Sequence, residues 1–330
     1  MQSNNPHIVI NMLTDTTKTQ YRRFFYSDPS PYISEPFLGL VENKVERLYR
    51  LMDEEERSIG LILGLKDGTL YSPFSAPFGG FHYSHEHVLY SVVYDYLADL
   101  KTFVKGQGFD RVVITLPPNP YQKNMNAKFV NAFIRLGYNM STPDIQNCIN
   151  LKKFDGNWTK NTVGQNCRRA IKRQLTCSIV TDEASRRDAY DVIFRNRVEQ
   201  ERKIHMTLED LLEVNEIIPV DFFLVKDKDG SNIGAGIFYR GHDKIVQGIF
   251  LGDDMEKRSL GIIDFLVMNI FEHYKSLDYD YIDLGISSMC GDPNVGLIRF
   301  KEIHNCETSL RFTFWWSPDN SQPFYLNHKI

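Results

Sequence analysis

The chain has 330 residues, a formal net charge of −4, 42% hydrophobic residues and 24% charged residues. That composition belongs to a folded protein of one large or two medium domains, and it excludes wholesale disorder, a collagenous repeat and a generally basic nucleic-acid binder. No apolar run approaches the roughly 18 residues of a membrane span, and MQSNNPHIVINMLTDTTKT lacks the basic and apolar regions of a secretion signal, so a cytoplasmic protein is expected.

The elements are taken in chain order. VERLYRLM and SIGLILGL read as strands, the second followed by the KDG turn at 66–68. Residues 86–105 carry apolar side chains at helical spacing and stop before Gly106 and Gly108. RVVITL (111–116) reads as a buried strand ending at Pro117, NAKFVNAFIRL (126–136) as a helix closed by Gly137, and NCINL (147–151) as a further strand. Between 156 and 219 lie a basic helix, the strand-like SIVTD and helices near 185–202 and 207–217.

VDFFLVK (220–226), SNIGAGIFY (231–239) and KIVQGIFLG (244–252) then predict a three-stranded antiparallel meander. Ser259 is placed to cap a helix that presents Leu260, Ile263, Leu266, Val267, Ile270, Phe271 and Tyr274 on one side. YIDLGIS (281–287) is a strand, and Asn294 opens a short helix to about His304. TSLRFTFWW (308–316) reads as one last strand with Leu310, Phe312, Phe314 and Trp316 on a single face. The second half thus repeats the order of the first. The expectation is an α/β protein of mixed sheets in two tandem domains, 1–155 and 156–316, with a polar tail at 317–330.

Five cysteines, an odd number without a C-x-x-C pair, favour a reducing compartment over a disulfide frame or a zinc site. His82, His85 and His87 lack the i, i+4 spacing of a helical zinc pair, so no metal is expected. From Gly156 to Thr181 there are five basic residues, Lys160, Arg168, Arg169, Lys172 and Arg173, and no acid. On a helix Val163, Cys167 and Ile171 form an apolar stripe. Arg168 with Lys172, and Arg169 with Arg173, form a basic stripe beside it. That face is either an ordinary solvated surface or an anion-binding one.

Several ordered segments carry a resemblance. NTVGQNCRRAIKRQL, RNRVEQERKIHMTLEDL, FFLVKDKDGSNIGAGIFY, YIDLGISS and GLIRFKEIHN follow one another as in the GNAT-like acyltransferase domain of the Fem peptidyltransferase family. The match covers roughly 160–316, and SPFSAPFGGF (72–81) resembles more weakly the first of two such domains. The resemblance implies two GNAT-like domains and transfer of an acyl or aminoacyl group onto an amine of a sugar, amino acid or peptide. It also suggests a cell-envelope setting. GNAT enzymes use acyl-coenzyme A, whereas Fem enzymes use aminoacyl-tRNA. The chain departs from both: it has no long charged helical hairpin in the second domain, and Arg258-Ser259-Leu260-Gly261 is an imperfect phosphate loop.

Such chemistry needs a base for the amine, a stabiliser for the oxyanion and a cradle for the donor. Asp283, Lys301 and His205 are the candidate catalytic residues. Tyr239, Ser287, Ser288 and Tyr83 are candidates for the acceptor, with Gly79 and Gly80 in a loop beside Tyr83. Arg258, Ser259, Gly261, Arg168 and Lys172 are candidates for a donor such as acyl-CoA. Replacing Asp283 or Lys301 is expected to lower turnover about a hundredfold with folding intact. The alternatives are a tRNA-dependent transferase and a non-catalytic binding module of the same fold.

Overall fold

The computed structural model describes residues 13–25, 28–53, 57–85 and 87–319. In chain order these form β1 (Leu13–Asp15), α1 (Lys18–Arg22), α2 (Glu35–Val41), β2 (Arg47–Asp53), β3 (Ile59–Lys66), β4 (Thr69–Ser72), β5 (Phe81–Tyr83), α3 (Tyr90–Gly106), β6 (Arg111–Thr115), α4 (Asn119–Arg135) and β7 (Asn139–Met140). There follow β8 (Asp144–Asn150), α5 (Asn161–Lys172), β9 (Thr176–Val180), α6 (Glu183–Glu199), α7 (Leu208–Asn215), β10 (Val220–Lys226), β11 (Asn232–Tyr239) and β12 (Ile245–Asp253). The chain then runs through α8 (Ile262–Ser276), β13 (Tyr281–Ile286), the hairpin β14 (Ser288–Met289) and β15 (Asp292–Pro293), α9 (Val295–Ile303), β16 (Glu307–Arg311) and β17 (Thr313–Trp316).

The described residues group into two compact units, one holding the chain up to Pro143 together with the segment from Arg311, the other holding Asp144–Leu310. This differs from the division at 155/156 expected from the sequence. NCINL belongs to β8, whose hydrogen bonds go to β13 in the second unit. TSLRFTFWW is not one strand: it breaks at Phe312 into β16, beside β8, and β17, which lies between β6 and β7. Alternation reveals which side chains share a face but not which strand will be the neighbour. Leu310 accordingly stays 47% exposed, while Phe314 is fully buried and stacks on Phe133 with ring centroids 4.6 Å apart. Of the tail, residues 320–330 lie outside the described residues.

In the first unit the sheet runs β1-β2-β3-β4-β6-β17-β7, with β5 also paired to β3. The pair β4–β6 is parallel, which requires the crossover that α3 supplies. Val93, Leu97, Leu100 and Val104 of α3 and Phe129 and Phe133 of α4 recur at i, i+3/i+4 spacing, and all are buried in one core with Leu61, Leu63 and Phe81.

In the second unit the sheet runs β16-β8-β13-β12-β11-β10-β9. The expected meander is present: β10–β11 and β11–β12 are antiparallel. One sheet face packs on α8, through Phe223 against Tyr274, and the other on α6, where Arg186 lies over Phe222. Each strand therefore needs apolar residues on both sides, which is why VDFFLVK lacks alternation. α5 packs by Val163, Cys167 and Ala170; Ile171, expected on the apolar stripe, is 57% exposed. The helix turns its buried edge one residue earlier, so Ala170 takes the place the pattern assigned to Ile171. Ser259 is not the cap of α8. It lies in a 3-10 turn, Arg258–Leu260, and Gly261 holds the N-cap position with φ +80°.

Candidate functional site

The site is built on a parallel pair of the second sheet. β12 and β13 match Ile245 to Tyr281, Val246 to Ile282 and Gln247 to Asp283, and the pairing ends there. β12 continues to Asp253 alongside β11, while β13 shifts register between Asp283 and Ile286. From this point the two strands part. Gly248–Leu251 on one and Leu284–Ile286 on the other are half-exposed, in contrast to the buried residues just before them.

Gly285 turns β13 aside, with φ +72°, a conformation that only glycine adopts at little cost. Asp283, fully buried, accepts the Gly285 N–H at 2.7 Å and a second hydrogen bond from the Gln146 carboxamide. Ile286 pairs again with Gln146 of β8, and Lys301 on α9 donates to the carbonyls of Gly285 and Ile286, each at 2.9 Å. Lys301 is only 3% exposed. A buried ammonium is tolerated where such acceptors replace its water. Asp283 and Lys301 thus both bond to Gly285, by its N–H and its carbonyl, and Lys301 spends these two hydrogen bonds on the backbone.

Residues directly opposite on neighbouring strands share a face. Tyr239 lies opposite Gln247, Gln247 opposite Asp283, and Asp283 opposite Cys148, so these form a row across β11, β12, β13 and β8. Cys148 points its thiol towards Asp283, 3.9 Å away. Burial, and then the neighbouring Asp283 charge, push the Cys148 thiol well above its usual range, and burial pushes Cys306 up to about 12. Neither is a ready thiolate nucleophile. Burial likewise raises the Tyr239 phenol, whose hydroxyl approaches the Met206 sulfur at 3.9 Å.

Ser287 and Ser288 are fastened to β8. Ser287 donates to Asn147 at 2.5 Å; Ser288 donates to Asp144 at 2.7 Å and accepts the Ile145 N–H at 2.8 Å. Asp144 also accepts the Gly291 N–H at 3.0 Å, which pins the β14–β15 hairpin. Both serines thus close the turn. Asp144, Gln146, Asn147, Cys148 and Gln247 belong to no motif that marks them in the sequence. The available signal was DIQNCIN itself: polar residues in a strand that turns out to be internal, where none could be a solvent face.

His205 is exposed on the loop between α6 and α7, with no hydrogen bond to this cluster among the described residues. Tyr83 belongs to the first unit, its hydroxyl buried without a hydrogen-bond partner. Gly79 and Gly80 form a tight loop there, Gly79 donating to the Thr115 carbonyl at 3.0 Å. His82, in the same segment, is held between the Tyr21 hydroxyl at 2.9 Å and Asp28 at 3.0 Å, while His85 and His87 are exposed.

Arg258, Ser259 and Gly261 are brought together at the start of α8, but their chemistry is not a phosphate cradle. Arg258 pairs with Asp253 at 3.0 Å, and the Ser259 carbonyl accepts from Arg169 at 3.2 Å. The N–H groups of Lys257, Leu260 and Gly261 are bonded to carbonyls within the turn itself. A Cβ on Gly261 would lie 2.7 Å from the Asn166 carbonyl oxygen, so this glycine serves the α5–α8 packing. Beside the turn a hollow of about 180 Å³ is lined by Glu199, Asp253, Asp254 and Glu256 as well as Arg195 and Asn196. These carboxylates do not fit the diphosphate of coenzyme A. Arg168 and Lys172 are exposed on α5, away from any carboxylate within salt-bridge reach among the described residues.

No family model matches the chain, and no curated protein matches it in sequence. Solved structures do match. FemX aligns with a TM-score of 0.64 and 10% identity over 91% of this chain and 96% of its own. L-PGS from Bacillus licheniformis aligns with a TM-score of 0.60 and 11% identity, covering 93% and 94%. A tandem GNAT protein from the clavulanic acid biosynthesis pathway aligns with a TM-score of 0.51 and 11% identity, covering 94% and 99%. The chain has the tandem GNAT-like fold of FemX. At these identities the likeness is one of fold, and the chemistry has to be argued from the residues.

Proposed function

We propose that the chain is a transferase that moves an acyl or aminoacyl group onto an amine, with the parted strands of the second unit as the transfer site. The observation that carries this reading is the end of the β12–β13 pairing at Gln247 and Asp283, with a fully buried carboxylate at the point where it stops. In the reaction the amine nitrogen bonds to the acyl carbon, the bond from that carbon to the donor's oxygen or sulfur breaks, and the nitrogen releases a proton. Asp283 is the group proposed to take that proton, and Lys301 holds the strand end in place for it. A fixed carboxylate in a site shielded from water suits a general base.

The two candidate donors differ in what they need from the protein. Coenzyme A requires cations for its phosphates, and the hollow beside the turn before α8 is lined by Glu199, Asp253, Asp254 and Glu256, with Arg258 already paired to Asp253. The acid-free, exposed basic face of α5 favours the second reading, an aminoacyl ester carried on tRNA. Incubating the protein with labelled acetyl-CoA or labelled aminoacyl-tRNA and a mixture of amino sugars, amino acids and short peptides tests both readings. Label should pass from the tRNA ester to an amine. Transfer from acetyl-CoA alone would reverse the choice of donor. No transfer from either, with no retention of charged tRNA on filters at low salt, would leave a binding module of this fold.

A further inference from the structure

Gln146 is 1% exposed and sits on β8 beside the Asp283 cluster. Its Nε2 donates to Asp283, which fixes the orientation of the carboxamide, because a carboxylate can only accept. The other arm, Oε1, is buried and has no hydrogen-bond partner. A buried carbonyl without a donor costs free energy, and in a folded protein each such group calls for an explanation. Oε1 therefore calls for a donor, and an N–H of a bound amine supplies one.

We propose that Gln146 is the substrate-binding residue for the amine: its Oε1 accepts one N–H of the acceptor's primary amine while its Nε2 holds Asp283 facing the same nitrogen. This rests on the transferase reading and narrows it. The acceptor presents an unsubstituted amine at this cluster, and an N-acylated amine, whose remaining N–H is no longer basic or cationic, is rejected. A product would leave for the same reason.

The test uses full-length chain and calorimetric titration with glucosamine, ethanolamine and glycinamide, each beside its N-acetyl counterpart. The wild type should bind at least one free amine about tenfold more tightly than its counterpart. Gln146→Met keeps the side-chain length and removes both hydrogen-bonding arms, so it should lose about tenfold in amine affinity and leave the N-acetyl affinity unchanged. If that variant does not fold, Gln146→Asn, with the carboxamide withdrawn by one methylene, replaces it. A purely structural role would lower the thermal midpoint without altering the ratio between amine and counterpart. Absence of any amine preference in the wild type, or a preference that survives in the variant, overturns the inference. An intact, Gln146-dependent preference without any group transfer would overturn the transferase reading instead.

Discussion

Replacing Lys301 by Met decides whether that side chain is first of all a support. The residue is 3% exposed, and its ammonium donates to the Gly285 and Ile286 carbonyls at 2.9 Å each. A hydrogen bond from a charged donor contributes about 1.5–3 kcal/mol, so two lost bonds cost about 3–6 kcal/mol. Part of this returns because methionine does not have to be desolvated, which leaves a net loss of about 3 kcal/mol. Urea unfolding of the full chain, followed by tryptophan fluorescence and by far-ultraviolet dichroism, measures it; two probes are needed because two units need not unfold together. Lys301→Arg, which keeps the charge and can reach one carbonyl, should fall between wild type and Met. Hydrogen exchange at the amides of 284–287 should speed up in the Met variant while that of β10 and β11 stays slow. A Met variant within about 0.5 kcal/mol of wild type would refute the clamp and return Lys301 to the role expected from the sequence, a charge lost without harm to folding.

The other expectations concern both units. Asp99 on α3 is pushed up to about 6 by burial and by the charges of Asp95 and Asp53. Its proton is held more tightly in the folded than in the unfolded chain, so its ionisation destabilises the fold above pH 6, and the penalty disappears as pH falls from about 6 towards 4. Asp99→Asn should therefore stabilise by about 1 kcal/mol at pH 7.5, after allowance for solvent screening of a half-exposed group, and by almost nothing at pH 4; equal effects at both values, in thermal melts, would contradict this. Gly261→Ala combines a φ of +80° with a contact of 2.7 Å to the Asn166 carbonyl, and should cost about 2 kcal/mol or more, read as a lowered urea midpoint. A fragment of residues 1–155 lacks β17, which lies between β6 and β7, and carries β8 without its partners. It should show no cooperative melting transition, whereas a sharp transition would mean that the first sheet closes without its last strand.

Much of this protein is legible in its order of residues. Helix α3, the meander β10–β11–β12 and α9 follow from apolar spacing, turn residues and caps, which act over a few neighbours in the chain. Asp283 and Lys301 are marked by the resemblance of YIDLGISS and GLIRFKEIHN to the Fem-type domain, not by periodicity. What tertiary structure alone decided is partnership. NCINL and TSLRFTFWW have the composition of strands wherever they pair, and only long-range hydrogen bonding sends β8 to the second sheet and β17 to the first. Gln146 acquired meaning in the same way, because a polar residue in a strand is unremarkable until β13 places a carboxylate against it and leaves its oxygen without a donor. Periodicity is a property of a segment; satisfaction of a buried polar group is a property of everything folded around it.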